Sequence, residues 1–205
     1  IDGEGLARGL LRLMENYPPQ FYESLLNLMG SHDVVRAITA LAGAPDRDSL
    51  TREQEAAYSP TIEQLDAGRK RFMAAAAVQY MMPGAPCLYY GDEIAMQGYR
   101  DPFNRAFFDW NSTEQRLRGP IKTLAALRRS CDAFDGGRLE IVRADTDVLH
   151  YRRVGKTQTA EIILNRGPHL LAEEAFGKNT EVNPGGFTVL VEDNEPEHVG
   201  YFSVY

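Results

Sequence analysis

Near residue 135 the chain changes its hydrophobic period, and few architectures accommodate both halves. Up to about residue 130 the apolar residues recur at helical spacing or in short unbroken runs. Leu6, Leu10, Leu13, Met14 and Tyr17 mark one amphipathic helix, stopped at Pro18. Thr61 and Gln64, behind Pro60, form a capping box that opens a second helix, with Phe72, Ala75 and Ala76 on one face. Leu117, Ile121, Leu124 and Cys131 mark a third, beginning in earnest at Pro120. Between them lie two apolar runs too short for helices: Leu25 to Met29, bounded by Gly30, and "CLYYG" at 87–91. Each fits a strand buried on both faces, as strands of parallel sheets are. The order helix, strand, helix, strand, helix predicts an α/β architecture with parallel strands. The intervening "APDRDSLTREQEAAYSP" reads as loop with a short helix.

From about Gly136 the pattern is different. "RLEIVRA", "DVLHYRRV", "TAEIILNR", "FTVLVED" and "VGYFSVY" are short, β-branched or aromatic, and the turn signals "DGG", "VGKT", "NPGG" and "DNEPE" fall around and between them. They predict an antiparallel β domain to the end of the chain.

A length of 205 residues suffices for one large or two modest domains with a real core. The net charge of −7 argues against nucleic acid, which wants a basic face, and against an anionic membrane surface. No apolar run has the length of a membrane-spanning helix. Cys87 and Cys131 read as small buried hydrophobes; two cysteines make neither a disulfide framework nor a metal set. A reducing, cytoplasmic compartment is the expectation. The chain opens on "IDGEGLARGLLRLMENYPP", with no initiator Met and no signal-peptide pattern, so a fragment or processed chain is expected.

Both short apolar runs end on ionisable residues. "LMGSHD" stops on His32 and Asp33, and "CLYYGDE" on Asp92 and Glu93. In parallel α/β folds ligand sites gather beyond the carboxyl ends of strands, which makes all four candidates. Each has a plainer reading: Ser31 or Asp33 caps the next helix, and "GDE" does likewise. A metal site from His32, Asp33, Asp92 and Glu93 needs convergence that spacing does not give. The loop "GYRDPFNRAFFDW" offers flat aromatics for sugar faces, and Asp101 and Arg105 for paired hydroxyls. Its plainer reading is a long loop pinned to the core by Phe107, Phe108 and Trp110. His150 and His169 read as surface or turn residues, and Arg8, Arg12, Arg128 and Arg129 as solvated helix faces. Neither a glycine-rich phosphate loop nor a nucleophile elbow is found.

"LLNLMGSHDVVR", "PGAPCLYYGDEIAM" and "DPFNRAFFDW", in this order, resemble three linked segments of the α-amylase family of glycoside hydrolases. The combination is similar to neopullulanases, cyclomaltodextrinases and maltogenic amylases. The resemblance implies that residues 1–134 are the last part of a (β/α)8 TIM barrel, about two barrel strands and three helices. Residues 135–205 would be a C-terminal antiparallel β-sandwich domain. It implies that Asp33 is the carboxylate that stabilises an oxocarbenium-like transition state, that His32 grips the same sugar, and that Asp101 and Arg105 hold a glucose unit further away. The expected substrate is an α-glucan: starch, pullulan, maltodextrin or a cyclodextrin, with α-1,4 and also α-1,6 linkages in scope.

Retaining hydrolysis needs a nucleophile and an acid/base about 5–5.5 Å apart. The resemblance places those residues on two earlier barrel strands that this sequence lacks. The expectations are therefore an isolated chain without activity, and self-association or pairing with the missing barrel half to cover bare strand edges. No cofactor is implied, and a structural calcium has no support in this sequence. The competing functional reading is a non-catalytic amylase-like subunit that binds carbohydrate.

Overall fold

In the computed structural model, residues 2–194 are described in full and residues 199–202 as backbone alone. The elements run α1 (Gly3–Asn16), α2 (Pro19–Tyr22), β1 (Leu26–Leu28), α3 (Ala37–Leu41), α4 (Arg52–Ala57), α5 (Ile62–Met81), β2 (Ala85–Cys87) and α6 (Arg118–Ser130). Then follow β3 (Arg138–Ala144), β4 (Val148–Val154), β5 (Gln158–Asn165), β6 (Leu171–Ala175), β7 (Lys178–Val182), β8 (Phe187–Asp193) and β9 (Val199–Phe202). The chain divides into two compact units. One holds residues 1–26, 80–85 and 124–205; the other holds 27–79 and 86–123. β1 and β2 pair as a two-stranded sheet, with the Ala85 N–H donating to the Leu25 carbonyl at 2.7 Å.

The first unit is built on a five-stranded sheet in the order β3-β4-β5-β8-β9, each neighbouring pair antiparallel. The strands expected at 138–144 and 187–193 form with those bounds. The expected strand "VGYFSVY" is described only to residue 202; residues 203–205 lie outside the described residues. Sequence reading missed the hairpin of β6 and β7, which pair from Leu171↔Val182 to Ala175↔Lys178. Its two-residue turn holds Phe176 at φ 50° and Gly177 at φ 71°. Positive φ at both central positions matches the right-handed twist of a hairpin, but Phe in the first of them is not a turn signal. Ala175 and Val182 from this hairpin cluster with Ile163 of β5 and Leu190 of β8, flanked by Leu171 and Phe176.

Two expectations for charged residues in this unit are corrected. His150 is fully buried, with Nε2 3.0 Å from Glu161 and Nδ1 3.5 Å from Glu173. Glu161 also receives the Arg152 guanidinium, which donates from Nε at 2.9 Å. Burial would raise the Glu161 pKa, but bonds from His150 and Arg152 outweigh it and lower the pKa. Arg128 is not a solvated helix residue: its guanidinium donates to the carbonyls of Tyr80, Met82 (3.1 Å) and Gly84 (2.5 Å). Buried Arg153 adds a bond to the Met81 carbonyl at 3.0 Å, so two arginines satisfy the turn that leads into β2.

In the second unit α5 starts on the expected capping box. The Thr61 N–H donates to Gln64 Oε1 at 2.9 Å, and the Gln64 N–H donates to Thr61 Oγ1 at 3.2 Å. A second box, Thr51 with Gln54, opens α4. Phe72, Ala76 and Ala77 of α5, Ile38 of α3, and Tyr99, Leu117 and Ile121 are buried. The strand burial expected from sequence is corrected. β1 is three residues long, with Leu26 63% and Leu28 58% exposed. Among the described residues only β2 pairs with it, so its side chains lack the neighbours a sheet interior supplies. The strand expected at 87–91 forms instead at 85–87 and overlaps the expected run only at Cys87, which is half-buried rather than buried.

Candidate functional site

β1 leads through Gly30 into a tight turn in which the Asp33 N–H donates to Ser31 Oγ at 3.1 Å. α3 begins four residues later with Arg36 as its N-cap and no side-chain capping bond. Neither Ser31 nor Asp33 therefore caps that helix, which removes the plainer reading of "SHD". His32 Nε2 lies 3.3 Å from Asp33 Oδ1, and the two side chains are 61% and 70% exposed. The carboxylate thus keeps lone pairs for an incoming hydroxyl.

The loop after Gly98 carries the second polar pair. Arg105 Nε stands 3.0 Å from Asp101 Oδ1, across a cis Asp101–Pro102 bond and one short helical turn. Both side chains are exposed. Between them Asn104 is fully buried. Its amide nitrogen donates to the carbonyls of His32 at 2.9 Å and Val34 at 2.7 Å, with that of Ser31 at 3.4 Å. One side chain thus fastens the loop to the turn that carries His32 and Asp33. The amide must present its nitrogen here, because every facing group is an acceptor.

Two further bonds hold the start of the loop. The Arg36 N–H donates to the Gly98 carbonyl at 2.9 Å, and the Gly98 N–H donates to Thr39 Oγ1 at 2.9 Å. Gly98 has φ 154°, and a Cβ there would stand 2.1 Å from the Phe103 carbonyl oxygen, so only glycine fits. The Tyr90 hydroxyl donates to the Ala106 carbonyl at 2.8 Å and ties down the far end.

Beneath the turn, Arg36 and Asp92 are both buried, with Nη1 3.5 Å from Oδ1. Burial pushes the Asp92 pKa up to about 6 against the opposing pull of Arg36. Asp92 does not cap: the short helical turn it begins has Gly91 as its N-cap, without a side-chain bond. The metal reading of His32, Asp33, Asp92 and Glu93 is not met. Among the described residues, no three His, Cys, Asp or Glu stand together as a metal site would require.

Comparison with known proteins bears on this geometry. The chain is 32% identical over 178 residues to an amylopullulanase of Thermoanaerobacter thermohydrosulfuricus, across 82% of this chain and 12% of that protein. It is 32% identical over 164 residues to a cyclomaltodextrinase of Geobacillus thermopakistaniensis, across 78% of this chain and 24% of that protein. The solved structure of the cyclic α-maltosyl-(1→6)-maltose hydrolase from Arthrobacter globiformis superposes with a TM-score of 0.76 at 28% identity. That match covers 94% of this chain and 40% of the hydrolase. The chain belongs to the α-amylase family of glycoside hydrolases. No family model matches it. It spans about an eighth and a quarter of the length of those two curated relatives.

In this member of the α-amylase family, the structure brings the sequence-predicted candidates onto neighbouring segments, and sequence reading missed the residues that hold them. His32, Asp33, Asp101 and Arg105 all lie in one unit, on two segments bridged by Asn104. Asn104 and Arg36 were overlooked. Asn104 stands inside "DPFNR", and its signal was a polar residue with nothing local to bond. The pinning reading of the aromatic loop is corrected as well: Phe107 is 99% and Trp110 86% exposed, while Phe108 packs edge-on against Trp110.

Proposed function

We propose that this chain is part of a retaining α-glucan hydrolase acting on α-1,4 and also α-1,6 linkages of starch, pullulan, maltodextrins or cyclodextrins. In this reading residues 1–134 are the last part of its (β/α)8 barrel and residues 135–205 its C-terminal β domain. Asp33 stabilises the cationic transition state, His32 grips the same sugar, and Asp101 with Arg105 binds a sugar further along. The nucleophile and acid/base belong to residues outside this chain, and the chain alone does not hydrolyse.

The observation that carries the reading is the Asn104 clamp. It holds two exposed acidic groups, each beside a basic partner, on one stretch of surface while neither serves as a helix cap. Vicinal hydroxyls are bound by such acceptor–donor pairs. Two more features support it. Gly30, shortly after β1, and Asp92, five residues beyond β2, lie beside one another: a Cβ on Gly30 would stand 3.4 Å from Asp92 Oδ2. That is what neighbouring strands running the same way would give. The exposed Leu26 and Leu28 suit a strand that meets further protein.

The test is Asp33→Asn in the enzyme that carries this chain, assayed by release of reducing sugar from maltoheptaose. Turnover should fall about 10²–10³-fold with the far-UV spectrum unchanged. Wild-type turnover would overturn the role of Asp33. Glucan binding without turnover in the unmutated protein would favour a non-catalytic carbohydrate-binding subunit instead.

A further inference from the structure

We propose that Arg36 and Asp92 are positioning residues that set the His32–Asp33 turn against the Asp101–Arg105 loop. The inference rests on the reading of Asp33 given above and extends it to two side chains that cannot touch substrate, since both are buried.

Their contacts form a continuous path. Asp92 lies beside Gly30, the residue before the turn: a Cβ on Gly30 would stand in ordinary contact with Oδ2 at 3.4 Å. Asp92 Oδ1 faces Arg36 Nη1 at 3.5 Å. The same nitrogen donates to the Tyr90 carbonyl. The guanidinium carbon lies 4.3 Å from the centre of the Tyr89 ring and 4.6 Å from that of Tyr90. Tyr90 reaches the loop through its hydroxyl, which bonds the carbonyl of Ala106, the residue after Arg105. The Arg36 N–H holds the other end of the loop at Gly98. Turn and loop are thus joined twice, by buried Asn104 and by Arg36 with Asp92.

The choice of residues fits placement better than strength. A buried ion pair contributes little net stability compared with a packed apolar pair, so what this pair supplies is position rather than strength. Arg36 Nε and Nη2 and both Asp92 oxygens lack hydrogen-bond partners, so the pair is not a hydrogen-bond hub. A planar guanidinium can lie against two aromatic rings and donate in its own plane, which a lysine ammonium cannot.

The experiment is a double-mutant cycle in the enzyme carrying this chain, with kcat and KM for maltoheptaose as readouts. Arg36→Lys and Asp92→Asn should each lower kcat/KM about tenfold or more while the far-UV spectrum and thermal midpoint show a folded protein. On an Asp33→Asn background the Arg36→Lys loss should largely vanish, because the arginine acts through that carboxylate. Wild-type kcat and KM in both single variants would overturn the proposal. So would an undiminished loss from Arg36→Lys on a crippled Asp33→Asn background, which would leave the role of Asp33 standing. Wild-type turnover in Asp33→Asn alone would instead overturn the reading of the site, and this proposal with it. If Arg36→Lys does not fold, Tyr90→Phe removes the hydroxyl that bonds Ala106 while keeping the ring beside Arg36, and is read by the same criteria.

Discussion

Asn104 offers the sharpest test of how the site is held together. Its nitrogen donates to two carbonyls at 2.9 and 2.7 Å, and both bonds are partly buried. Truncation to alanine leaves those carbonyls without a donor. The cost of orphaning a buried polar group is about 1–3 kcal/mol. Partial burial selects the lower end, so two carbonyls give about 2 kcal/mol. Losing the unpartnered Oδ1 returns a little, and the space left by the side chain takes a comparable amount. With a urea m-value of about 2 kcal/mol/M, the unfolding midpoint of Asn104→Ala should fall by about 1 M. Asn104→Asp is nearly the same shape but turns a carboxylate oxygen toward three carbonyl oxygens. It must lose more than alanine, about 4 kcal/mol, because it adds a buried charge facing like dipoles. Urea titration followed by far-UV circular dichroism measures both. A midpoint for Asn104→Ala within about 0.3 M of wild type, or Asn104→Asp more stable than Asn104→Ala, would refute the clamp.

Asp92 should leave a mark on the pH dependence of stability. Its folded pKa is raised from 3.8 to about 6, so the folded state holds the proton more tightly than the unfolded chain. The contribution of this group is full below about pH 4 and is lost as pH rises through 6. At 1.36 kcal/mol per pKa unit, the stability difference between Asp92→Asn and wild type should move in the variant's favour by about 2–3 kcal/mol from pH 4 to pH 7; a difference constant with pH would sink this. Arg105→Ala should raise KM for maltoheptaose several-fold with kcat nearly kept, and a loss confined to kcat would show that Arg105 does not bind a distant sugar. In the β domain, Glu161→Ala removes the partner of the buried His150 Nε2 and should cost about 1–3 kcal/mol in denaturant unfolding. A loss under about 1 kcal/mol would mean that His150 is content without its carboxylate.

Elements whose order is encoded locally were legible in the sequence. The Thr61–Gln64 box can be read because both of its bonds lie within four residues, and α5 starts where it should. β8 is legible because "FTVLVED" carries its β-branched residues in one run. β6 and β7 were not, because Glu173, Glu174, Lys178 and Asn179 give them the look of a solvated loop. Their order comes from register and from Ala175 and Val182 meeting Ile163 and Leu190, which only the folded sheet supplies. β1 failed in the opposite sense: its run of leucines signals burial, and within this chain its surroundings do not provide it.

The charged residues divide along the same line. His32, Asp33, Asp101 and Arg105 are exposed, and each has its polar partner one or four residues away, so their pairing lies within short stretches of sequence. Arg36 bonds a carbonyl 54 residues on, and Asn104 reaches back 70 to 73 residues. Nothing in a polar side chain records a partner outside its own element, so Arg128 and His150 read as surface by default and Arg36 drew no reading. A usable signal did exist for one pair. Two short apolar runs that become neighbouring strands are each followed by an ionisable residue of opposite sign that ends up buried, Arg36 past the "SHD" turn and Asp92 past the second run. Folded, Arg36 Nη1 lies 3.5 Å from Asp92 Oδ1. The pair offsets two buried charges without a helix cap, and Asp92 lies beside Gly30, in the segment that leads to Asp33.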